Sequence, residues 1–377
     1  MRICIDGTPL LVRSAGVKTY LYHWLRSLQA SSAKHHVTVF PRIGPLHTLD
    51  HEHSVKPLLP TAFHLAALGV LNRSRRWLPA GKPNDVFHAS NFVRSLPRNA
   101  TVTTATLHDL TAWTMPEMHT RGNIAADEAF AERILSKAAR LIAVSESTRQ
   151  DAIEVLRIPG DKIDVIHHGV PNAYFDASPE EAAGVARKHK LERPYILFCA
   201  TIEPRKNLDV LLDAYALLAP SLLETFELVV AGMAGWASES TVERLRCSGK
   251  NLRYLGYVEE KDLPGLTRGA TVFAYPSLYE GFGLPLAQAM AAGVPTITSG
   301  VSSMPEIAGD GALLIDPKSA EELRAAMTRL LVSPSLRESL ALKAKMQAER
   351  YRWEDCASKS WAFFEKALGS LSRSSKG

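Results

Sequence analysis

The residues best suited to chemistry lie in the segment 276–285, which reads Pro-Ser-Leu-Tyr-Glu-Gly-Phe-Gly-Leu-Pro. A strand-like apolar run precedes the segment, and a helix is predicted to begin near Pro285, because proline is favoured in the first turn of a helix. The two glycines allow a ligand to approach the backbone, and free N–H groups at a helix start bind phosphate. An ionised Glu280 only accepts hydrogen bonds, which suits the recognition of hydroxyl groups. The pattern therefore predicts a ligand site, although a tight structural turn would also explain the glycines alone.

A second candidate is the pair of cations Arg205 and Lys206, in the segment Glu203–Asn207. The predicted strand Tyr195–Ala200 ends directly before it. Two cations at this position can neutralise a diphosphate and stabilise the charge that develops on it as a leaving group. We expect them on the same side of the same sheet as Glu280, although a solvated loop is the simpler alternative.

Two further candidates lie at junctions in the first half of the chain. His108 follows the predicted strand Thr101–Leu107, where an imidazole can contact a substrate hydroxyl or move a proton. Gly16 opens the predicted helix Val17–Leu28 and either admits phosphate or sugar to the backbone or simply eases the turn. Asp109 is expected to orient the imidazole or to cap the segment after it.

Several common motifs are missing from the sequence. No Gly-x-Gly-x-x-Gly follows the first strand, no Gly-Lys is followed by Ser or Thr, and no Asp-x-Asp occurs. These absences disfavour a nicotinamide-dependent oxidoreductase, a P-loop enzyme and a carboxylate-chelated metal–diphosphate site. The four cysteines form no Cys-x-x-Cys pair, so a disulfide scaffold or a thiolate zinc site is not expected. We predict no metal and no cofactor.

The elements that position these residues alternate between strands and helices. The predicted strands are Arg2–Asp6, His36–Phe40, Asp85–His88, Thr101–Leu107, Arg140–Val144, Ile163–Ile166, Tyr195–Ala200, Glu227–Ala231, Leu252–Leu255, Thr271–Ala274 and Thr296–Thr298. Alternation of this kind predicts parallel sheets covered on both faces, and two such series predict two doubly wound α/β domains facing each other across a cleft. We place the domains at residues 1–175 and 185–353, with a last helix, about 354–370, packing back on the first domain.

Composition and charge bound the class of protein. The chain has 377 residues, of which 46% are hydrophobic and 22% charged, as in an ordinary globular protein of about two domains. No apolar stretch reaches the length of about 20 residues that spans a bilayer, and the N-terminus shows no signal peptide, so a cytoplasmic protein is expected. Residues 1–175 hold 20 Lys and Arg against 14 Asp and Glu. This excess of positive charge either keeps the protein in solution or indicates an anionic partner such as a membrane.

Four segments resemble, in the same order, the motifs of the retaining glycosyltransferases of family 4, which have the GT-B fold. They are Ile142–Ser147, Ile166–Val170, Glu203–Asn207 and Glu280–Pro295. The resemblance runs from Met1 to about Trp361, and parts of it are similar to bacterial mannosyltransferases of surface polysaccharide synthesis. It implies metal-independent transfer of a hexose, with mannose from GDP-mannose expected, to a hydroxyl of a glycan or lipid-linked glycan.

The resemblance also implies roles for individual residues. Glu280 matches the acid that holds the hydroxyls of the donor sugar, Arg205 and Lys206 match the cations on the diphosphate, and His108 matches the histidine beside the sugar. Other matching positions are expected to bind the donor, mainly through the backbone: Gly16, Tyr257, Val258, Gly281, Phe282, Gly283 and Leu284.

Two departures from the family's pattern alter these expectations. Gln288 stands where a second glutamate usually grips the ribose, eight residues after Glu280, and it lacks the charge-assisted component of that interaction. In the family an arginine often lies several residues before the lysine that Lys206 matches. Ala200 and Thr201 stand there in this sequence, so Arg205 must take the role of that arginine. The alternatives left open are a UDP-sugar donor and a non-catalytic subunit that binds a nucleotide-sugar.

The expected partners are the nucleotide-sugar, the acceptor and the membrane, with no nucleic acid, because no aromatic-interleaved basic module is present. The segment Leu71–Leu78 interleaves cations with apolar residues, as an interfacial segment does. It predicts peripheral contact with the inner face of the cytoplasmic membrane.

Overall fold

The computed structural model describes residues 1–12, 16–31, 34–41, 58–73, 76–77, 83–247, 249 and 251–374. The chain divides into two compact units: Met1–Gly169 together with the segment from Trp353, and Val170–Arg352. Ser14 and Ala15 before the first helix, and Ser74, Arg75 and Leu78 of the basic segment, lie outside the described residues.

The first unit contains a sheet of six parallel strands and a separate pair of two-residue strands. Its strands are β1 (Arg2–Asp6), β2 (His36–Phe40), β3 (Arg76–Trp77), β4 (Asn84–Ala89), β5 (Leu96–Pro97), β6 (Ala100–Leu107), β7 (Arg140–Ala143) and β8 (Ile163–Val165). The large sheet has the order β2-β1-β4-β6-β7-β8, and the two-residue strands β3 and β5 pair separately. Its helices are α1 (Gly16–Ala30), α2 (Leu58–Leu71), α3 (Thr111–Thr114), α4 (Arg121–Arg133) and α5 (Glu146–Leu156), joined by the C-terminal helix, Trp353–Ser374.

The two faces of this sheet carry separate hydrophobic cores. Ile3 and Val86 face one side, where they pack with Trp24 of α1 and Phe364 of the C-terminal helix. Phe87, the strand neighbour of Val86, faces the other core. Successive strand residues point to opposite faces, so both sides of the sheet are covered, as parallel sheets require.

The second unit repeats this architecture. Its strands are β9 (Tyr195–Cys199), β10 (Glu227–Ala231), β11 (Leu252–Gly256), β12 (Val272–Tyr275), β13 (Thr296–Ser299) and β14 (Ala312–Ile315). Its helices are α6 (Asn172–Phe175), α7 (Pro179–Lys188), α8 (Leu208–Ala216), α9 (Pro220–Thr225), α10 (Glu239–Cys247), α11 (Leu263–Arg268), α12 (Leu284–Ala291), α13 (Met304–Ala308), α14 (Ala320–Val332) and α15 (Pro334–Ala348). The C-terminal helix of the first unit is therefore α16 (Trp353–Ser374).

The strand order of the second unit, β11-β10-β9-β12-β13-β14, contains a topological switch point. The chain moves outward from β9 through β10 to β11, and then returns to the other side of β9 to form β12. The loops that follow β9 and β12 therefore leave their strands in opposite directions and open a crevice at the carboxyl edge of the sheet. Ligands of doubly wound proteins bind at such a point.

The second unit begins at Val170, earlier than the boundary near residue 185 that the sequence predicted, and it therefore includes α6 and α7. A capping box starts α7, because Ser178 Oγ accepts from the backbone N of Glu181 and the Glu181 carboxylate accepts from the backbone N of Ser178. The strand β14 was also missed, since its four residues follow a Gly-Asp-Gly turn and show no alternation of burial.

Candidate active site

Two loops meet at the switch point of the second unit. The backbone N of Leu278 donates to the carbonyl O of Arg205 (2.9 Å), and so does Ser277 Oγ (3.0 Å). Nδ2 of Asn207 donates to the carbonyl O of Pro276 (2.9 Å). The loop after β9 and the loop after β12 are therefore held together by hydrogen bonds, so the cations on one have a fixed position relative to the carboxylate on the other.

Glu280 lies between both cations and is buried, with 7% of its surface exposed. Its Oε1 accepts from Lys206 Nζ (2.5 Å), Tyr275 Oη (2.7 Å) and Ser277 Oγ (2.7 Å). Its Oε2 accepts from Arg205 NH1 (3.1 Å). The structure thus brings together the cations Arg205 and Lys206, which were predicted to act on a diphosphate, and Glu280, which was predicted to bind hydroxyl groups.

Burial alone would raise the pKa of the Glu280 carboxyl. The adjacent charges of Lys206 and Arg205, together with the hydrogen bonds from Lys206 and Ser277, outweigh burial and bring the pKa to about 2. The carboxylate is therefore ionised at neutral pH and acts only as a hydrogen-bond acceptor.

Arg205 is fixed by contacts on three sides. Its NH1 donates to the carbonyl O of Tyr279 (2.8 Å) as well as to Glu280, and its NH2 donates to Glu203 Oε1 (2.9 Å). Glu203 was not predicted as a site residue, although it lies next to the cations in the sequence. The two acids and the two cations balance in charge. Hydrogen bonds to the carboxylates orient both cations before a diphosphate binds.

The loop after Glu280 leads into α12 through a glycine that the backbone requires. Gly283 has φ +89°, and a Cβ built on it would lie 2.1 Å from Cε of Met304. The helix begins at Leu284, one residue before the predicted start. The backbone of Gly281–Leu284 thus lies at the N-terminal end of α12, where the helix dipole favours an anion.

Phe282 and Gln288 have different roles in this region. The Phe282 side chain is buried and packs edge-on against Tyr351 with ring centroids 5.5 Å apart, so only its backbone is available to a ligand. Gln288 is partly exposed on α12, as are Leu284 and Pro285, whereas the rest of the helix is buried. Leu284 and Gln288 are one turn apart, so they share a helix face.

Tyr257 and Val258 follow β11 at the same carboxyl edge, but β10 separates them from the loop that carries Arg205 and Lys206. Gly256 adopts φ +65° at the end of β11, and its carbonyl accepts from the backbone N of Gly232 (2.8 Å). Tyr257 is 38% exposed and Val258 is buried. The sheet edge therefore presents these residues beside the cationic loop without direct contact with Glu280.

The first unit holds the two other predicted residues, Gly16 and His108. The ring of Tyr20, one turn along α1 from Gly16, lies edge-on to His108 with centroids 5.0 Å apart and stacks on His168 at 4.4 Å. Val17, directly after Gly16, lines the same pocket as His108. The start of α1 and the end of β6 thus come together in this unit.

His108 is neutral at physiological pH. Burial lowers the pKa of its imidazole to about 4, and the nearby Asp109 carboxylate opposes this only in part. Asp109 Oδ1 accepts from the backbone N (3.1 Å) and Oγ1 (2.6 Å) of Thr111, so it caps the segment after β6. The imidazole therefore suits a hydrogen bond to a hydroxyl better than the role of a cation.

The residues that support Glu280 were missed by sequence reasoning. Tyr275 reads as an ordinary strand residue, and Ser277 as part of a turn. Ser302 Oγ accepts from the backbone N of Glu280 (3.0 Å), and Ser303 Oγ donates to its carbonyl O (2.9 Å). Both serines follow β13, the next strand of the sheet, and the pairing of β12 with β13 brings them to this loop.

Neither metal ligation nor membrane crossing is indicated in the part of the chain that the structure describes. It contains no group of three or more His, Cys, Asp or Glu residues placed to hold a metal ion. None of its helices combines the length and the apolar character needed to cross a bilayer.

Comparison with known proteins agrees with the fold and the motifs. Residues 14–173 match the model of Glycosyltransferase Family 4, and residues 181–347 match that of Glycosyl transferases group 1. The O-antigen chain mannosyltransferase B of Escherichia coli is 34% identical over 309 residues, which cover 81% of this chain and 79% of that protein. The serotype-specific mannosyltransferase WbdA of E. coli is 28% identical over 304 residues, 77% of this chain and 37% of WbdA.

Among solved structures, the sucrose-phosphate synthase of Thermosynechococcus elongatus superposes with a TM-score of 0.73 at 18% identity, covering 98% of this chain and 100% of that one. Two α/β units, each built on a parallel sheet of this topology, define the GT-B class of protein. This class was predicted correctly. The chain belongs to glycosyltransferase family 4.

Proposed function

We propose that the protein transfers a mannosyl residue from GDP-mannose to a hydroxyl of a glycan or lipid-linked glycan, with retention of anomeric configuration, in the synthesis of a surface polysaccharide. The single observation that carries the proposal is the contact of Glu280 with both Arg205 and Lys206 at the switch point. The similarity to the E. coli mannosyltransferase B supports the choice of mannose.

Each part of this arrangement matches a part of the donor. Glu280 accepts hydrogen bonds from the sugar hydroxyls, while Arg205 and Lys206 contact the diphosphate. The amides of Gly281–Leu284 lie at a helix start, which suits the same phosphates. Gly16 and His108, from the first unit, serve the diphosphate and the sugar, and the backbone of Tyr257 and Val258 meets the base.

In the reaction the bond between C1 of the sugar and the phosphate oxygen breaks, and a bond forms between C1 and the acceptor oxygen. The acceptor proton passes to the departing diphosphate. Glu280 receives four hydrogen bonds in the structure, which makes it a poor nucleophile and favours departure and attack on one face of the sugar. Arg205 and Lys206 stabilise the charge of the leaving group, and removal of one such donor typically costs about 10²–10³ in rate.

Gln288 favours two alternatives to this function. One is a subunit that binds a nucleotide-sugar without turnover, and the other is the same transfer with a UDP-sugar as the donor. The side chain is partly exposed on the face of α12 that it shares with Leu284. A glutamine there binds ribose hydroxyls more weakly than a glutamate would.

Contact with an anionic membrane leaflet is the third part of the proposal. The helix α2 exposes Phe63 (72%) and Val70 (65%) to solvent, and the exposed Arg73 follows it. Apolar side chains next to cations suit the boundary between headgroups and acyl chains. In flotation with phosphatidylglycerol vesicles at low salt, the wild type should float. Phe63→Ser should reduce binding, and Leu217→Ser, which removes an exposed apolar side chain (57%) from the second unit, should not. No flotation of the wild type would contradict this part.

A donor panel tests the proposed reaction. Wild-type protein is incubated with GDP-mannose, UDP-glucose or ADP-glucose and a mannose-containing acceptor, and release of the nucleoside diphosphate is followed together with the glycan product. Release of GDP with an α-linked mannosyl product is expected. Binding of GDP-mannose without product would favour the non-catalytic subunit, and turnover of the UDP-sugar alone would contradict the donor.

A further inference from the structure

A turn with a strained backbone contacts the loop that carries Glu280. The turn covers residues 301–304, between β13 and α13, and the backbone N of Met304 donates to the carbonyl O of Val301 (3.2 Å). Its second residue, Ser302, has φ +52°. Turns with a positive φ at this position are dominated by Gly, Asn and Asp, because a Cβ disfavours that conformation. Serine therefore occupies the position at a cost in stability.

The strained residue holds one end of the peptide group that joins Tyr279 to Glu280. Ser302 Oγ accepts from the backbone N of Glu280 (3.0 Å). The carbonyl O of Tyr279, which belongs to the same peptide group, accepts from Arg205 NH1 (2.8 Å). The N–H and C=O of a trans peptide lie in one plane and point in opposite directions. The peptide group is therefore fixed at both ends, by Ser302 at the N–H and by Arg205 at the C=O.

This arrangement links the Ser302 hydroxyl to both charged groups of the site. When the hydroxyl is removed, the turn no longer holds the N–H end of the peptide group. Rotation of the group then moves the Tyr279 carbonyl away from Arg205. The same rotation changes φ of Glu280 and so re-aims its side chain, because the soft dihedral angles lie on either side of the rigid peptide. Ser302 thus acts on Arg205 and Glu280 through the backbone between them.

Two comparisons within the second unit set Ser302 apart. The adjacent Ser303 is buried, has the ordinary angles φ −74° and ψ −11°, and donates from Oγ to the carbonyl O of Glu280 (2.9 Å). Lys190 has φ +55°, but it lies directly after the cap of α7, where left-handed residues are common. Ser302 follows a strand, so no helix end accounts for its φ. Costly conformations of this kind persist where the surrounding structure enforces them, and they cluster at functional sites.

We propose that Ser302 is a positioning residue of the transfer reaction, whose hydroxyl orients the peptide group before Glu280 and thereby places Arg205 and Glu280 for the donor. The proposal rests on the proposed function, since it adds a residue to the site of that reaction. The turn gives up stability for this orientation, because the Oγ that reaches Glu280 belongs to a residue with a positive φ.

Two substitutions of Ser302 separate positioning from folding. Ser302→Ala removes the hydroxyl but keeps a Cβ at the positive φ, whereas Ser302→Gly removes the hydroxyl and also the strain. The glycine variant should have the higher Tm of the two, yet both should lower kcat about tenfold or more, because small misplacements of reacting groups are costly. If the hydroxyl only stabilised the turn, kcat would recover together with the Tm, so wild-type kcat in Ser302→Gly would overturn the proposal. Lys190→Gly is the matched control, which relieves a positive φ before β9 and should keep wild-type kcat.

Calorimetry with GDP, UDP and ADP separates this proposal from the proposed function. Both Ser302 variants should bind the nucleoside diphosphate that the wild type binds about fivefold more weakly or worse, because an Arg205 that is no longer pre-organised loses more entropy. If the wild type binds a diphosphate but transfers no sugar, the reaction fails, and weaker binding in both variants supports the positioning role. If transfer occurs and Ser302→Gly has wild-type kcat, the positioning role fails and the reaction stands. A wild type that binds none of the three would overturn both.

Discussion

Nζ of Lys206 lies 2.5 Å from Oε1 of Glu280, so the cation assigned to the diphosphate directly contacts the acid assigned to the sugar. Both groups are mostly buried, with 11% of the Lys206 side chain and 9% of the Glu280 side chain exposed. A buried ion pair of this kind adds little net stability compared with apolar packing, because both charges must lose their hydration. Its presence at the carboxyl edge of the sheet is therefore better explained by ligand binding than by folding.

Lys206→Ala should abolish most of the transfer activity while the protein stays folded. Loss of the ammonium removes charge stabilisation from the leaving diphosphate, and we expect kcat to fall about 10²–10³-fold. Glu280 keeps Arg205, Tyr275 and Ser277 as donors, so the free energy of unfolding should fall by only about 1–3 kcal/mol. Steady-state kinetics and thermal denaturation check both values, and near-wild-type kcat would show that Lys206 does not contact the diphosphate.

Local patterns were sufficient to predict the strands of the two six-stranded sheets except β14. The strands β1, β2 and β10 have the predicted bounds. The sequence predicted that Glu280 and the two cations lie on the same side of one sheet, but it did not predict that they contact each other. The distances between them, and the supporting Ser302 and Ser303, depend on crossovers between strands that sequence periodicity does not report.

Two glycines offer a matched pair of substitutions. A Cβ on Gly16 would have no atom within 4 Å, whereas one on Gly283 would overlap Cε of Met304 at 2.1 Å. Gly16→Ala should therefore keep the wild-type Tm and raise the donor KM, because the methyl group enters the space assigned to the diphosphate. Gly283→Ala should lower stability by about 2 kcal/mol through overpacking. An unchanged donor KM in a folded Gly16→Ala variant would remove Gly16 from the site.

Gln288→Glu should strengthen donor binding. A carboxylate forms charge-assisted hydrogen bonds with ribose hydroxyls that are about twice as strong as those of an amide. We expect the dissociation constant of GDP-mannose to fall about tenfold, which corresponds to about 1.4 kcal/mol. Calorimetry measures the change, with Gln288→Leu as the control that should weaken binding. Equal affinities in all three proteins would mean that this face of α12 does not meet the ribose.

Stability should decrease as the pH falls below about 6.5. Burial lowers the pKa of His88 to about 3 and that of His108 to about 4, from a usual value of 6.5. Between pH 6.5 and about 4 the unfolded chain binds protons that the folded chain does not, so acid favours unfolding. The stability is recovered as the pH rises. Thermal denaturation across the interval should show this slope, and His108→Asn should reduce it. A slope that is identical in the variant would contradict the low pKa of His108.

The measurement that tests the account most directly is calorimetric binding of GDP and GDP-mannose to the wild type, Lys206→Ala and Glu280→Gln. Lys206→Ala should weaken both ligands at least tenfold, because both contain the diphosphate. Glu280→Gln should weaken GDP-mannose, which contains the sugar, but leave GDP unchanged or tighter, because the cations lose a competing carboxylate. Equal effects of Glu280→Gln on the two ligands, or wild-type affinity for GDP in Lys206→Ala, would contradict the assignment of these residues.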